Sequence, residues 1–311
     1  MDYKKLIIPL LALLAVVFLF FGFVTKAASP GETSISISPL TFDLAGNPGD
    51  SLVNELLVRN SGKDTVGVSI EAQDFVATGE EGDINLTDNK SSYSLASWVQ
   101  SDTGTFNLNG GQQKRVKFSI NIPYKAEPGG HYASVYAKIS PTLSKTASGS
   151  YVGQKIGSLV LLRVAGAAKE NAKIESFKTS KQTYSKGPVN FDIRIGNTGT
   201  VHLKPKGIIA VTDMWGKKIA DVTVDQKNVL PGATRHLTAK WDKTPSFGKY
   251  TATLLSYYGT ENKQLTAATT FWIIPWRTIL IWVVVILAII AAAYIGRKRL
   301  KEASKALLGK R

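Results

Sequence analysis

No cysteine occurs anywhere in the 311 residues. That absence excludes disulfides, a Cys-ligated metal site and a lipid-modified N-terminal cysteine. Histidine is scarce as well: His131, His202 and His236 are all there is, and no two share a metal-ligand spacing. Neither Gly-x-Ser-x-Gly nor His-Glu-x-x-His is present. Leu230-Pro231-Gly232-Ala233-Thr234 approaches a sortase signal, but the final Gly is missing and the stretch reads as a turn. The chain therefore reads as no enzyme, with no cofactor. A glycan-cleaving carboxylate pair is the one catalytic device that such a search misses, because its two members are distant in sequence. Helical periodicity is also lacking between the two apolar ends of the chain.

The C-terminal end is apolar without interruption. Thr278 to Ile295 carry no charge over 18 residues, a length that spans roughly 27 Å as a helix and so fits the hydrocarbon core of a bilayer. Trp272, Trp276 and Trp282, with Arg277, mark one membrane interface, and Tyr294 marks the other. Arg297, Lys298, Arg299 and Lys301 follow at once, within a tail 297–311 of seven Lys/Arg and one Glu. Positive residues stay inside, so the tail is expected in the cytoplasm and everything before the helix outside. Lys4 and Lys5 precede an uncharged run from Leu6 to Val24, and Thr25 and Ala27 suit the small-residue positions of a cleavage site. Lys26 and the length of the run leave an uncleaved signal anchor as the alternative.

The net charge of +15 is not a nucleic-acid signal, because so much of it belongs to the tail. Residues 29–165 hold 11 basic and 13 acidic side chains, whereas residues 166–276 hold 16 basic and 8 acidic. The half nearer the membrane is thus the basic one. Lipid headgroups or an anionic wall polymer are the natural counter-charge; a lysine-rich solvated face is the plainer reading.

What fills the middle is strand pattern. Ser34–Leu40 and Val116–Pro123 alternate strictly, with turns of Gly, Pro, Asn and Ser between such runs, the signature of a sandwich. The pattern occurs twice. Val53–Gly62 resembles Val189–Gly199, each ending in Asn-Ser/Thr-Gly, a triplet suited to a tight turn because Asn and Gly tolerate φ > 0. Gly130–Tyr136 resembles Gly248–Leu254, and both runs follow a Pro-containing turn, at Pro128-Gly129 and at Pro245. Tyr132 and Tyr250 are then expected as tyrosine corners. The fold class is all-β: two tandem immunoglobulin-like β-sandwiches followed by one transmembrane α-helix. The expected division is a signal peptide or anchor 1–28, a first module 29–168, a basic second module 169–272, the helix 273–296 and the tail 297–311.

Two features, the acidic loop and Trp215, invite a binding role. The acidic loop Glu80, Glu81 and Asp83, with Asn85 and Asp88, offers oxygen ligands for Ca²⁺, though not at EF-hand spacing; an ordinary solvated loop is the alternative. Trp98 reads as core, and Trp215, in Asp213-Met214-Trp215-Gly216-Lys217-Lys218, as an exposed hairpin tip able to anchor an interface. The loop 140–154 reads as a long flexible hairpin.

The order of parts resembles the WxL-interacting proteins of Gram-positive cell surfaces. The resemblance rests on Pro128-Gly129-Gly130-His131-Tyr132 leading into an alternating strand, on Ser36–Leu40 with Pro39, on Gly82-Asp83-Ile84, and on the long loop before the 155–164 strand. It implies a first sandwich that binds peptidoglycan and a second that binds an exported partner, with Gly129, Gly130, His131 and Tyr132 the positions its motif touches. The expected function is a membrane-anchored binding protein of the cell envelope, with cell-wall glycan or an exported surface protein as partner and the lipid bilayer as support. Two alternatives stand beside it. One is an assembly protein that pairs an edge strand with a client, for which Val152–Val164 is the candidate edge. The other is a sensor coupled through the helix.

Overall fold

The computed structural model describes residues 35–141, 154–243 and 246–309. The expected signal segment, most of the 140–154 loop and Pro245 lie outside them.

The first module contains β1 (Ile35–Ser38), β2 (Thr41–Gly46), β3 (Ser51–Asn60), β4 (Val66–Thr78), β5 (Asp83–Thr87), β6 (Val99–Ser101), β7 (Phe106–Leu108), β8 (Gln113–Asn121), β9 (Gly129–Pro141) and β10 (Gln154–Val164). One sheet has the order β1-β3-β8-β6, and the other β2-β10-β9-β4-β5, with β7 also on β4. The chain changes sheets between β1 and β2, at Pro39 and Leu40, where Pro39 has no N–H to continue a ladder. β2 then runs parallel to β10, from Thr41 opposite Leu159 to Gly46 opposite Val164.

The second module repeats this plan with β11 (Ala172–Thr179), β12 (Thr183–Tyr184), β13 (Val189–Asn197), β14 (Lys206–Thr212), β15 (Lys218–Val224), β16 (Thr234–Trp241), β17 (Gly248–Tyr258) and β18 (Lys263–Ile273). Its sheets are β11-β13-β16 and β12-β18-β17-β14-β15. β12 again runs parallel to the last strand, but over two residues, Thr183 opposite Trp272 and Tyr184 opposite Ile273. The sequence repeats fall on equivalent strands, β3 with β13 and β9 with β17.

Alternation produces both cores. Val116, Phe118 and Ile120 of β8 point inward while Lys117 stays outside; Val189, Phe191, Ile193 and Ile195 of β13 do the same. Each such side chain contributes roughly 1.5–3 kcal/mol through its buried apolar area. In the second core Tyr184, Phe191, Trp241, Tyr250 and Phe271 pack as mostly edge-to-face rings about 6 Å apart.

The Asn-Ser/Thr-Gly triplets work differently from expectation. Asn60 and Asn197 are the last residues of β3 and β13, extended and buried. Their side chains do the turning. The Asn60 amide donates to the carbonyls of Asp64 and Leu108, and its oxygen accepts from the Gly62 N–H. The Asn197 amide donates to Val201 and Val229 and accepts from Gly199. A buried amide that fills its hydrogen bonds with backbone groups pins three segments at once.

The helix α1 spans Trp276–Leu308, and its segment Trp276–Tyr294 has a mean hydropathy of 2.4 with none of it buried by protein. It is long and apolar enough to cross a membrane. It begins later than expected and ends later. Trp272 and Ile273 remain in β18, laddered to Lys249 and Gly248. Beyond Ile295 the backbone stays helical through Lys298, Arg299 and Lys301 to Leu308, because Lys, Ala, Leu and Glu are good helix formers and nothing interrupts them before Gly309.

Candidate functional site

The Gly129–Tyr132 element is buried at the junction of the two modules. The Gly130 N–H donates to the Thr200 carbonyl of the second module at 2.8 Å. Gly130 is required locally, since a Cβ there would collide with the Tyr132 hydroxyl, which folds back over it. His131 lies between two carbonyls, with Nδ1 3.2 Å from Ser94 O and Nε2 2.9 Å from Glu127 O, and packs at a tilt of 43° against Trp98, ring centroids 4.4 Å apart. Trp98 is thus packing, as expected. These positions are closed to a polymeric wall ligand.

Tyr132 is not a tyrosine corner. Its hydroxyl accepts the backbone N–H of His202 at 2.8 Å and lies 3.4 Å from His202 Nδ1, 70 residues away. Burial pushes its phenol well above the ordinary tyrosine range. Around it Phe75 and Leu161 are buried, with Ile84, Leu159 and Leu230 packed against them. The turn Leu230–Thr234 carries Leu230 into this seam, and the Ala233 N–H closes it on the Leu230 carbonyl. His202 in turn meets Asp43 through Nε2 at 3.1 Å. Burial lowers the His202 pKa, against the pull of Asp43. Tyr250 does form the corner: its hydroxyl donates to Ser246 O, four residues back, at 3.0 Å.

Two ion-pair groups fasten the same junction. On one side Glu80 receives Arg194 through both Nε and Nη2, Glu81 meets His236 Nδ1 at 2.7 Å, and the Glu80 carbonyl accepts the His236 N–H at 2.8 Å. The Arg194 guanidinium holds the Glu80 carboxyl below the usual range, somewhat offset by desolvation. On the other side Glu170 accepts from Arg163 and from the N–H and hydroxyl of Thr260, at 2.8 and 3.0 Å. Burial pushes the Glu170 carboxyl up, but these donors outweigh it and leave it lowered. A recess of about 300 Å³ beside this group is lined by Asp43, Arg163, Glu170, His202 and Lys204.

The acidic loop therefore acts as a clamp between the modules. Glu80 and Glu81 point at cations of the second module, and Asp88 accepts from Gln73 Nε2 at 2.8 Å. No three acidic or histidine side chains converge among the described residues, Asp83 included. Sequence reasoning could not find this junction, because most of its pairs join residues far apart in the chain, 114 positions for Glu80 and Arg194 and 159 for Asp43 and His202, and their partners carry no motif.

At the other end of the second module Trp215 is 80 % exposed, on the turn between β14 and β15. Trp272, Trp276, Trp282 and Tyr294 are also exposed, and the Arg277 guanidinium lies over the Trp276 ring at 5.4 Å.

The candidate client edge divides in two. From Leu159 to Val164, β10 is enclosed between β2 and β9, so this part is a core strand. From Lys155 to Ser158, β9 is its one laddered partner among the described residues.

No family model matches the chain, and no curated protein matches it. Several solved structures are similar. The class 5 fimbriae chaperone CfaA has 16 % identity and a TM-score of 0.39 over 78 % of this chain and 100 % of its own. The E. coli chaperone DraB has 13 % identity and a TM-score of 0.37 over 77 % and 95 %. A PapD-like domain of human CEP192 has 15 % identity and a TM-score of 0.31 over 47 % and 94 %. Likeness at this level carries no functional assignment.

Proposed function

We propose that the protein is a non-catalytic, single-pass protein of the cell envelope, with its tail in the cytoplasm and its two modules outside. Its first module takes an exported surface protein by pairing a strand with the open part of β10. The half-covered β10 carries this reading. Ahead of the start of β2, the backbone from Lys155 to Gly157 has one laddered side, and a visiting strand placed there extends the line of β2; Ser158 is already covered, its hydroxyl donating to the Pro39 carbonyl. The clamped junction supports the reading as well, because it holds the first module at a fixed angle on the second. The resemblance in layout to WxL-interacting proteins supports an exported partner, and the basic tail supports the orientation.

A photo-crosslinking side chain placed at Lys155 on living cells tests this, with Lys117 on the outer face of β8 as control. The expected result is an adduct with one exported protein from position 155 and none from 117. If neither position captures protein, and the piece 29–274 sediments with purified peptidoglycan at physiological salt, the protein-partner reading is lost and wall binding takes its place.

A further inference from the structure

The second module has almost no slack at the membrane. β18 ends at Ile273 and α1 starts at Trp276, so Ile274 and Pro275 are the whole connection. Even fully extended, that step covers about 10 Å, and one headgroup layer is itself roughly 5–8 Å thick. If α1 spans the bilayer, as the proposed function requires, the end of the module lies in the headgroup layer or against its outer face, the more so because the Trp276 N–H turns back to the Ile274 carbonyl and shortens the step.

That end is defined by register. Gly248 pairs with Ile273, Lys249 with Trp272, and Thr251 with Thr212, the last residue of β14. The turn Asp213–Lys217 therefore lies at the end of the sheet from which α1 leaves, with Met214 over Gly248. The Asp213 carboxylate holds the turn from inside, accepting the N–H groups of Trp215 at 3.0 Å and Lys217 at 2.9 Å. Trp215 is turned outward, and Phe247, at the start of the neighbouring β17, is 56 % exposed. Met214 lies over Gly248 and is exposed beside them. On the other flank a recess of about 580 Å³ lies between the 180–188 turn and Ile274–Trp276, with Lys181 and Lys186 on its wall. A second of about 310 Å³ adjoins it at Lys186, Trp276 and Arg277. None of these three cations has a carboxylate partner among the described residues.

Exposed aromatic rings with amphipathic character collect at headgroup depth, and unpaired cations beside them attract lipid phosphates. We propose that this end of the second module is a bilayer-docking surface: Trp215 and Phe247 seat among the headgroups, and Lys181, Lys186 and Arg277 hold phosphates of anionic lipids. A soluble partner would have to enter a gap that the two-residue connection does not leave. Trp276 alone would be explained by the helix; Trp215 and Phe247, more than 25 residues earlier in the chain, are not.

The chain has no cysteine, so single labels can be placed cleanly. The full chain, one copy per nanodisc, is spin-labelled in turn through Trp215→Cys, Phe247→Cys, Lys117→Cys and Val285→Cys. Collision with oxygen and with a water-soluble nickel chelate then gives the depth of each label. The expected result is a several-fold loss of nickel accessibility at 215 and 247 relative to 117, larger in discs with phosphatidylglycerol than in phosphatidylcholine alone. Combining Lys181→Ala with Lys186→Ala should remove that added protection, and inorganic phosphate should not. Docking is overturned if 215 and 247 stay as accessible as 117 while 285 is deep in lipid. The anionic-headgroup part is overturned if the two lipid mixtures give equal protection, or if free phosphate competes. A label at 285 open to water would instead bring down the membrane-span reading on which the docking rests.

Discussion

The two modules share a strand plan and spend the same positions on different ends. The late-strand tyrosine of the second module, Tyr250, closes a local corner on Ser246; its counterpart Tyr132 reaches across into the neighbour and caps the His202 N–H. The parallel strand beside the last strand covers six residues in the first module and two in the second. The first module is slightly acidic and the second strongly basic, and the acidic Glu80 and Glu81 of one meet Arg194 and His236 of the other. By contrast, the Asn staple is used identically in both. Duplicated geometry is thus kept where it folds each module and altered where the modules meet each other and at the end from which α1 leaves.

The staple offers the strongest way to break that contrast. Asn197→Ala removes a buried amide and leaves the Val201 and Val229 carbonyls and the Gly199 N–H without it, at a cost of about 3 kcal/mol or more. Asn60→Ala should cost a similar amount in its own module. Denaturant unfolding of both variants checks this; a large loss at one position and a negligible one at the other would mean that the two triplets are not equivalent. The tyrosines should separate where the asparagines agree. Tyr132→Phe strands the His202 N–H in a buried seam, with an expected loss of about 1–3 kcal/mol and two calorimetric transitions where the parent shows one. Tyr250→Phe should cost about 1 kcal/mol and leave the modules coupled. Equal effects on coupling would dissolve the distinction drawn between them.

Much of this was legible in the chain. Period-2 runs such as Val116–Ile122 and the apolar run to Ile295 fix strands and helix, because alternation and length are local properties. The repeat was legible too, since β3 and β13 carry the same Asn-x-Gly ending. The mechanism of that ending was not: it depends on carbonyls, such as Leu108 and Val229, that arrive from distant turns. Tyr132 was misread for a related reason. A tyrosine after a Pro-Gly turn looks the same whether its hydroxyl turns back or outward, and what decides is Thr200–His202, supplied by the other module. Trp215 was correctly placed on an exposed tip, but its neighbour Phe247 left no signal, because adjacency across β14 and β17 is a property of the sheet.

The smallest expected effect is on pH, and it sharpens the contrast because it acts largely at the junction, with Glu71 of β4 the further carboxylate that, against burial, Tyr136 and Lys138 hold low. Burial lowers the His202 pKa from its ordinary 6.5, so the unfolded chain takes up that proton first and the folded state loses stability as pH falls below about 6.5. Glu80 and Glu170 are held below 4.5 in the folded state. Their contribution is present above about 4.5 and is lost as pH falls through the lowered values. Acid should therefore act in two steps, first through His202 and then through the carboxylates. Melting the piece 29–274 across this range should show a gentle decline below about pH 6.5 and a steeper one below about pH 4.5. His202→Gln should flatten the first step and leave the second. Should the first step persist unchanged in that variant, His202 is not its source.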